Sequence, residues 1–362
     1  MKEKKVYLYG LEHIRGLSCV FILLFHSTTF ITLSMSGIKD LAFFNGDLLR
    51  TRNIFFSLIL EGQTFVSVFL IISGFLLTIT TYNKEINYFN FVKKRILRIY
   101  PLFLFMILIG TYAFPDRFDF LRFISNITIF GNIYPMNLSP FNDANWTISV
   151  LIIFYLIFPF LKKILKNKLD YIKIILFFII IRLSVFLITG TIQNIAAGTI
   201  LGRIDQFLIG MFFADIYINK SNNLKNLKAT LYFIISIFSV FTMTYFYNQI
   251  GGNAVEKWWK IFWLDVEGIV WSFFIIFYLQ IFNKKVKLLY YLNNLSYSVY
   301  LLHSTVLYII LKYRIFIFSR NIKYGAFMTG LLIVLPLTLI LSLFTYSYIE
   351  KPFLQKKEQV KN

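Results

Sequence analysis

The chain is poor in cysteine, histidine and charge, and each shortage removes a class of function. A single cysteine, Cys19, excludes an intramolecular disulfide and any multi-cysteine metal site. Three histidines, His13, His26 and His303, are too few and too scattered to point to a zinc centre, so no metal is expected. Charged residues make up 15% of the chain, against about 25% in an average soluble domain. A water-soluble domain is thereby excluded. There is no internal repeat and no low-complexity segment, which argues against the paired halves common in transporters. The basic opening KEKK precedes an apolar run but no A-x-A cleavage site follows it, so it reads as a retained first helix.

What is present is apolar surface in long blocks. Hydrophobic residues are 58% of the chain and aromatics 20%, and the blocks approach the roughly 20 residues a bilayer-spanning helix needs. The fold class is all-α: a polytopic membrane protein with about ten transmembrane helices in one bundle. The spans are expected near 14–36, 55–81, 99–114, 146–161, 172–190, 199–219, 229–248, 262–282, 294–313 and 324–348, the third and fourth being short for a crossing. They form one integral-membrane domain, 1–350, followed by a short basic tail, 351–362. With both termini on the cytoplasmic side, 23 of the 34 cations outside the spans fall on inner segments, as the positive-inside rule requires. The net charge of +20 then orients the chain in a plasma (inner) membrane, and nucleic acid drops out as a partner.

Three cations remain inside or at the ends of spans: Arg15, Arg182 and Arg203. Such groups are costly in lipid and usually face a protein interior or a polar path. The first lies in LEHIRGLSCVFILLFHS, Leu11 to Ser27, which also places His26 in an otherwise oily helix. Arg15 and His26 are eleven residues apart, about three turns plus 20°, so they share a face about 16 Å apart along the axis. Histidine is the side chain most readily poised between proton donor and acceptor. The plainer reading is a histidine bonded to a neighbouring helix. Cys19 reads as a small core residue rather than as a nucleophile paired with His26, and Ser73-Gly74-Phe75 as a close helix contact.

The stretch Glu12-His-Ile-Arg15-Gly16-Leu17, with His26 beyond it, resembles the opening of the membrane acyltransferase-3 family, whose first helix carries an R-x10-H signature. The resemblance continues in order through FLIISGFLLT (Phe69 to Thr78), KKRILRIYP (Lys93 to Pro101), NWTISVLIIFYLIFP (Asn145 to Pro159), RIDQFLIG (Arg203 to Gly210), SYSVYLLH (Ser296 to His303) and YIEKPF (Tyr348 to Phe353). It implies an integral-membrane O-acyltransferase that moves an acyl group, acetyl by preference, from cytoplasmic acyl-CoA to a hydroxyl of a surface carbohydrate or lipid-linked glycan. Acyl-CoA is then a co-substrate, with no bound cofactor. The partners implied are membrane lipid, the glycan or lipid-linked sugar acceptor, and a separate extracytoplasmic protein unless the membrane part suffices.

Carried over residue by residue, the resemblance makes His26 the catalytic base and assigns donor binding to Arg15, Arg95 and Arg98. The plainer reading of the basic cluster is headgroup anchoring. Glu12, Trp146, Arg203, Asp205 and His303 become supporting or acceptor residues. Trp146 reads equally as an interfacial belt residue, Arg203 and Asp205 as buried charges balanced by neighbouring helices, and Glu350 with Pro352 as a helix terminator. Two positions depart from the pattern. Leu151 stands where glutamate is usual and Ser67 where an acidic residue is common, so Glu12, Asp47, Glu61 or Asp143 is expected to compensate. A lipid-linked glycan flippase and a catalytically silent membrane scaffold are the alternatives.

Overall fold

A computed structural model describes residues 7–38, 46–113, 119–128, 145–192, 198–220, 226–252 and 257–355. Every regular element among them is a helix. The long helices are α1 (Tyr9–Met35), α3 (Thr64–Thr81), α4 (Tyr88–Ala113), α5 (Asn145–Ile164), α6 (Lys168–Thr189), α7 (Ile200–Lys220), α8 (Asn226–Gln249), α9 (Lys260–Ile281), α10 (Lys287–Lys312) and α11 (Ile322–Leu354). A short helix, α2 (Ile54–Leu60), leads into α3. Nine of the described helices are long and apolar enough to cross a membrane. The tenth long helix, α7, has 21 residues, but Arg203, Asp205 and Asp215 make it too polar to count among them.

Three expectations are corrected. The span expected at 55–81 is two helices, because Asn53 caps α2 through its side chain and the turn Glu61 to Gln63 separates α2 from α3. The third span is not short: α4 is 26 residues long and takes in the basic segment Lys93 to Arg98, since nothing before Pro101 breaks the helix. The fourth, at 20 residues, is also long enough for a crossing. At the far end Glu350 and Pro352 do not terminate α11; after a π-helical turn, Tyr346–Glu350, it continues as Lys351–Gln355.

Small residues set the closest approaches. A Cβ on Gly74 of α3 would lie 2.2 Å from the Phe207 carbonyl oxygen, and one on Gly210 of α7 would lie 2.2 Å from that of Ile71. The two backbones therefore touch, as the small-residue reading of Ser73-Gly74 anticipated. Gly16 brings α1 onto α10 in the same way, 2.9 Å from the Asn293 amide nitrogen. Helix α1 thus sits inside the bundle, against α10, α3 and α11, and both of its functional candidates face other helices. By contrast α6 is largely exposed along its apolar length, as a lipid-facing helix should be.

Candidate functional site

The first helix brings Arg15 and His26 to two different neighbourhoods. At the basic end, Arg15 meets Arg95 and Arg98 of α4, close enough for their charges to act on one another. Arg15 lies over the Phe69 ring at 5.9 Å, and Arg95 over the rings of Phe91 and Tyr155 at 5.4 and 5.7 Å. Aromatic faces hold guanidinium planes in this way without neutralising them. None of the three arginines makes an ion pair among the described residues. The buried Nε atoms of Arg15 and Arg95 have no hydrogen-bond partner. Glu350 stands near enough to act on Arg98 and Arg15, and its carboxylate accepts from Ser298. The result is a cluster of three cations with spare donors, suited to a polyanionic ligand.

Deeper in the bundle, His26 Nδ1 lies 2.7 Å from His303 Nε2 of α10. The ring planes differ by 8° and the centroids are 4.9 Å apart, a separation that fits a bond in the plane of both rings. On its other side, His303 Nδ1 lies 2.7 Å from the Tyr300 carbonyl oxygen and 3.2 Å from that of Val299. A carbonyl only accepts, so His303 must carry its proton on Nδ1 and present a lone pair on Nε2. His26 therefore donates from Nδ1, and its own Nε2 is left basic. The tautomer of His26 is thus assigned by a backbone carbonyl acting through a second imidazole.

From His303 the polar contacts continue toward the opposite end. Tyr300 OH donates to Thr147 Oγ1 at 2.8 Å, and the adjacent Trp146 lies under the Arg203 guanidinium at 5.2 Å. Arg203 donates to Ser67 Oγ and Gln206 Oε1 at 3.3 and 3.2 Å. Ser67 donates to Glu267 Oε2 at 2.6 Å, and Trp263 Nε1 donates to Glu267 Oε1 at 3.1 Å. Beside this network Arg182 pairs with Asp205 at 2.5 Å and with Asp265 at 2.6 Å. Hence Asp205 is balanced by a cation of α6, while Arg203 is held by α3 and Trp146. Trp146 is half-buried among these groups rather than free in a belt.

At Ser67, where an acidic residue is common, a carboxylate from α9, Glu267, stands against the serine hydroxyl. Among the residues expected to compensate, Glu12 accepts from Tyr7, Asp47 pairs with Arg50 at 2.8 Å, and Glu61 accepts from Asn248 at 2.8 Å. Asp143 lies outside the described residues. Leu151 packs in the apolar contact between α5 and α7. Cys19 is buried and its thiol turns to the Gly16 carbonyl, 3.1 Å away, so it forms no pair with His26. Glu267, Asp265, Gln206 and Tyr300 went unread in the sequence. The signal for the first two was two carboxylates in the apolar run WLDVEGIVW, which meets the same cost in lipid as the three cations. In the turn between α2 and α3, burial pushes the Glu61 carboxyl up to about 8.

A family model described as an acyltransferase domain matches residues 8–347. No curated protein matches the chain, and no solved structure does.

Proposed function

The chain belongs to this acyltransferase family, and on that premise we propose that it moves an acetyl group from cytoplasmic acetyl-CoA to a hydroxyl of a surface carbohydrate or lipid-linked glycan, with His26 as the base. The observation that carries this reading is the His26–His303 pair, which leaves a basic Nε2 on a helix whose other end belongs to an arginine cluster with no ion pair among the described residues. Arg15, Arg95 and Arg98 bind the phosphates of the donor, whose thioester sits on a long arm remote from those phosphates. The arm then spans the roughly 16 Å along α1 from Arg15 to His26.

The transfer balances as follows. His26 Nε2 takes the proton of the acceptor hydroxyl as its oxygen bonds to the thioester carbonyl carbon. The carbon–sulfur bond breaks, the proton passes from His26 to the departing sulfur, and coenzyme A leaves as the free thiol. His303 accepts the bond from His26 Nδ1 throughout and steadies the imidazolium between the two transfers. The polar assembly of Trp146, Arg203, Ser67 and Glu267 adjoins this point through Tyr300 and supports the acceptor side.

The test uses protein purified into lipid nanodiscs with radiolabelled acetyl-CoA and glycolipid extracted from the producing cells. Wild type should release free thiol and label the glycolipid. His26→Ala should lose about 10²- to 10⁴-fold of that rate while holding its melting temperature and donor affinity. Undiminished transfer by the alanine variant, or no thioester consumption by wild type, would sink the proposal. The second of those outcomes is what a flippase or a silent scaffold would give.

A further inference from the structure

The helical hydroxyls of this protein divide into two groups. Most return to the carbonyl of the preceding turn, as Ser18 does to Ile14, Ser73 to Phe69, Thr78 to Gly74, Thr111 to Ile107, Thr244 to Val240 and Thr338 to Val334. That is how a serine or threonine ordinarily settles inside a bundle. The segment HSTTFIT following His26 behaves otherwise. Ser27, Thr28, Thr29 and Thr32 are each at most 4% exposed, and none of their hydroxyls has a hydrogen-bond partner. Ser272 and Ser342 share this condition, but each stands apart on its own helix. Nowhere else among the described residues do such hydroxyls follow one another.

Position on the helix separates the four. At 100° per residue, Thr29, Thr32 and Thr28 lie about 60°, 120° and 160° round the helix from His26, all in one direction. Thr29 and Thr32 form a row that starts beside the imidazole and climbs about 9 Å, near the helix end, whereas Thr28 lies almost opposite His26. Ser27 lies on the other side, where it packs against Gly330. The row shares its face with Phe21 and Phe25, which touch Gly62 between α2 and α3, where an added Cβ would come within 2.6 Å of Phe25 Cβ. A row of buried donors that the chain does not satisfy is costly unless a hydroxyl-bearing molecule completes it.

We propose that Thr29 and Thr32 line the route by which the acceptor alcohol reaches His26 from the end of α1 opposite Arg15. The acceptor's hydroxyls trade hydrogen bonds with the threonines as it advances. Donor and acceptor then arrive at the imidazole from opposite ends of one helix, which keeps the thioester away from bulk water. This inference rests on the acyl-transfer reading above and adds the acceptor's path to it.

Two experiments test it. In a Cys19→Ser background that still consumes acetyl-CoA, Thr29→Cys and Thr32→Cys are treated on intact cells with the membrane-impermeant thiol reagent MTSET. Ile31→Cys, equally buried but off the row, serves as the control. Positions 29 and 32 should react faster than 31. Membrane vesicles then prepared from these cells should pass more than tenfold less radiolabelled acetyl to their own glycolipid, with thioester hydrolysis by water retained. Equal reactivity at all three positions, or modification without loss of transfer, overturns the proposal; the latter would mean that the row holds water only.

The second variant is the shape-preserving Thr29→Val/Thr32→Val double. Merely structural threonines predict unchanged transfer and an equal or higher melting temperature, which would also overturn the proposal. A lining role predicts transfer lower by about tenfold at an unreduced melting temperature. If wild type consumes thioester and the row proves inert, the route alone fails. If wild type consumes none, the acyl-transfer reading fails with it.

Discussion

The two ends of the bundle handle buried charge in opposite ways. At the basic end, Arg15, Arg95 and Arg98 gather with no ion pair among the described residues and with buried donors unused. In the opposite half, Arg182 holds two carboxylates, and Glu267 is bonded by Ser67 and Trp263 within reach of Arg203. Cations that a fold needs for its own stability come with partners, because an unpaired buried charge is too costly to keep. Cations left without partners are suited to something that binds and leaves. The contrast separates a structural network from a ligand-facing one, although both are made of arginines in helices.

The largest effect that would sharpen this contrast belongs to Arg182. Replacing it by methionine leaves Asp205 and Asp265 facing each other, which should cost about 3–5 kcal/mol of stability. Thermal unfolding in nanodiscs measures this, and the donor KM of the folded fraction should not move. The inner cluster should answer in the reverse sense. Arg95→Ala/Arg98→Ala should raise the donor KM by about 10²-fold, each lost charge-assisted bond being worth about 1.5–3 kcal/mol, with little change in melting temperature. Lysine at both positions should restore only part of the affinity, since it lacks the planar fork. A melting temperature that fell with the double alanine variant, at unchanged KM, would make the cluster structural and erase the distinction.

His303 lies between the two ends, and its effect is intermediate. His303→Gln should reduce kcat by about 10- to 100-fold while donor KM stays put, because Nδ1 of His26 loses the partner that assigns its proton. A shifted pH–rate profile would accompany the loss, whereas a merely structural histidine would leave the profile in place.

The smallest effect is in the turn between α2 and α3. Burial raises the Glu61 carboxyl from its usual 4.5 to about 8. A carboxyl raised on folding contributes stability that is full below the unfolded value and lost as pH rises through the folded one. Between pH 6 and pH 9, Glu61 should therefore ionise, and its buried charge, which the hydrogen bond accepted from Asn248 offsets only in part, should loosen the segment that Asn248 holds through the Leu49 carbonyl. Hydrogen exchange over Leu49 to Thr51 should quicken across that window in wild type and stay level in Glu61→Gln.

Much of the fold was legible because lipid imposes a simple rule on sequence. The long apolar blocks, the small pair Ser73-Gly74, and the intramembrane cations all carry meanings that hold wherever the helices end up. Helix limits were less so: the basic segment before Pro101 lies outside the expected third span yet belongs to α4, and the span at 55–81 hid the turn at Glu61 to Gln63. Within the site, the spacing of Arg15 and His26 along one face could be read directly, since both belong to one helix. What each of them meets could not.

By itself, then, the sequence determined that this is a membrane-spanning helical protein, that its first helix carries a cation and an imidazole in line, and that it has the ordered motifs of an acyltransferase. Only the tertiary structure decided that His303 holds the tautomer of His26, that Glu267 stands against Ser67, and that Asp205 answers to Arg182 rather than to Arg203. The reason is physical. Periodicity along one helix follows from a fixed rotation per residue, whereas a hydrogen bond between residues 277 positions apart depends on how separate helices pack, and no local pattern encodes that.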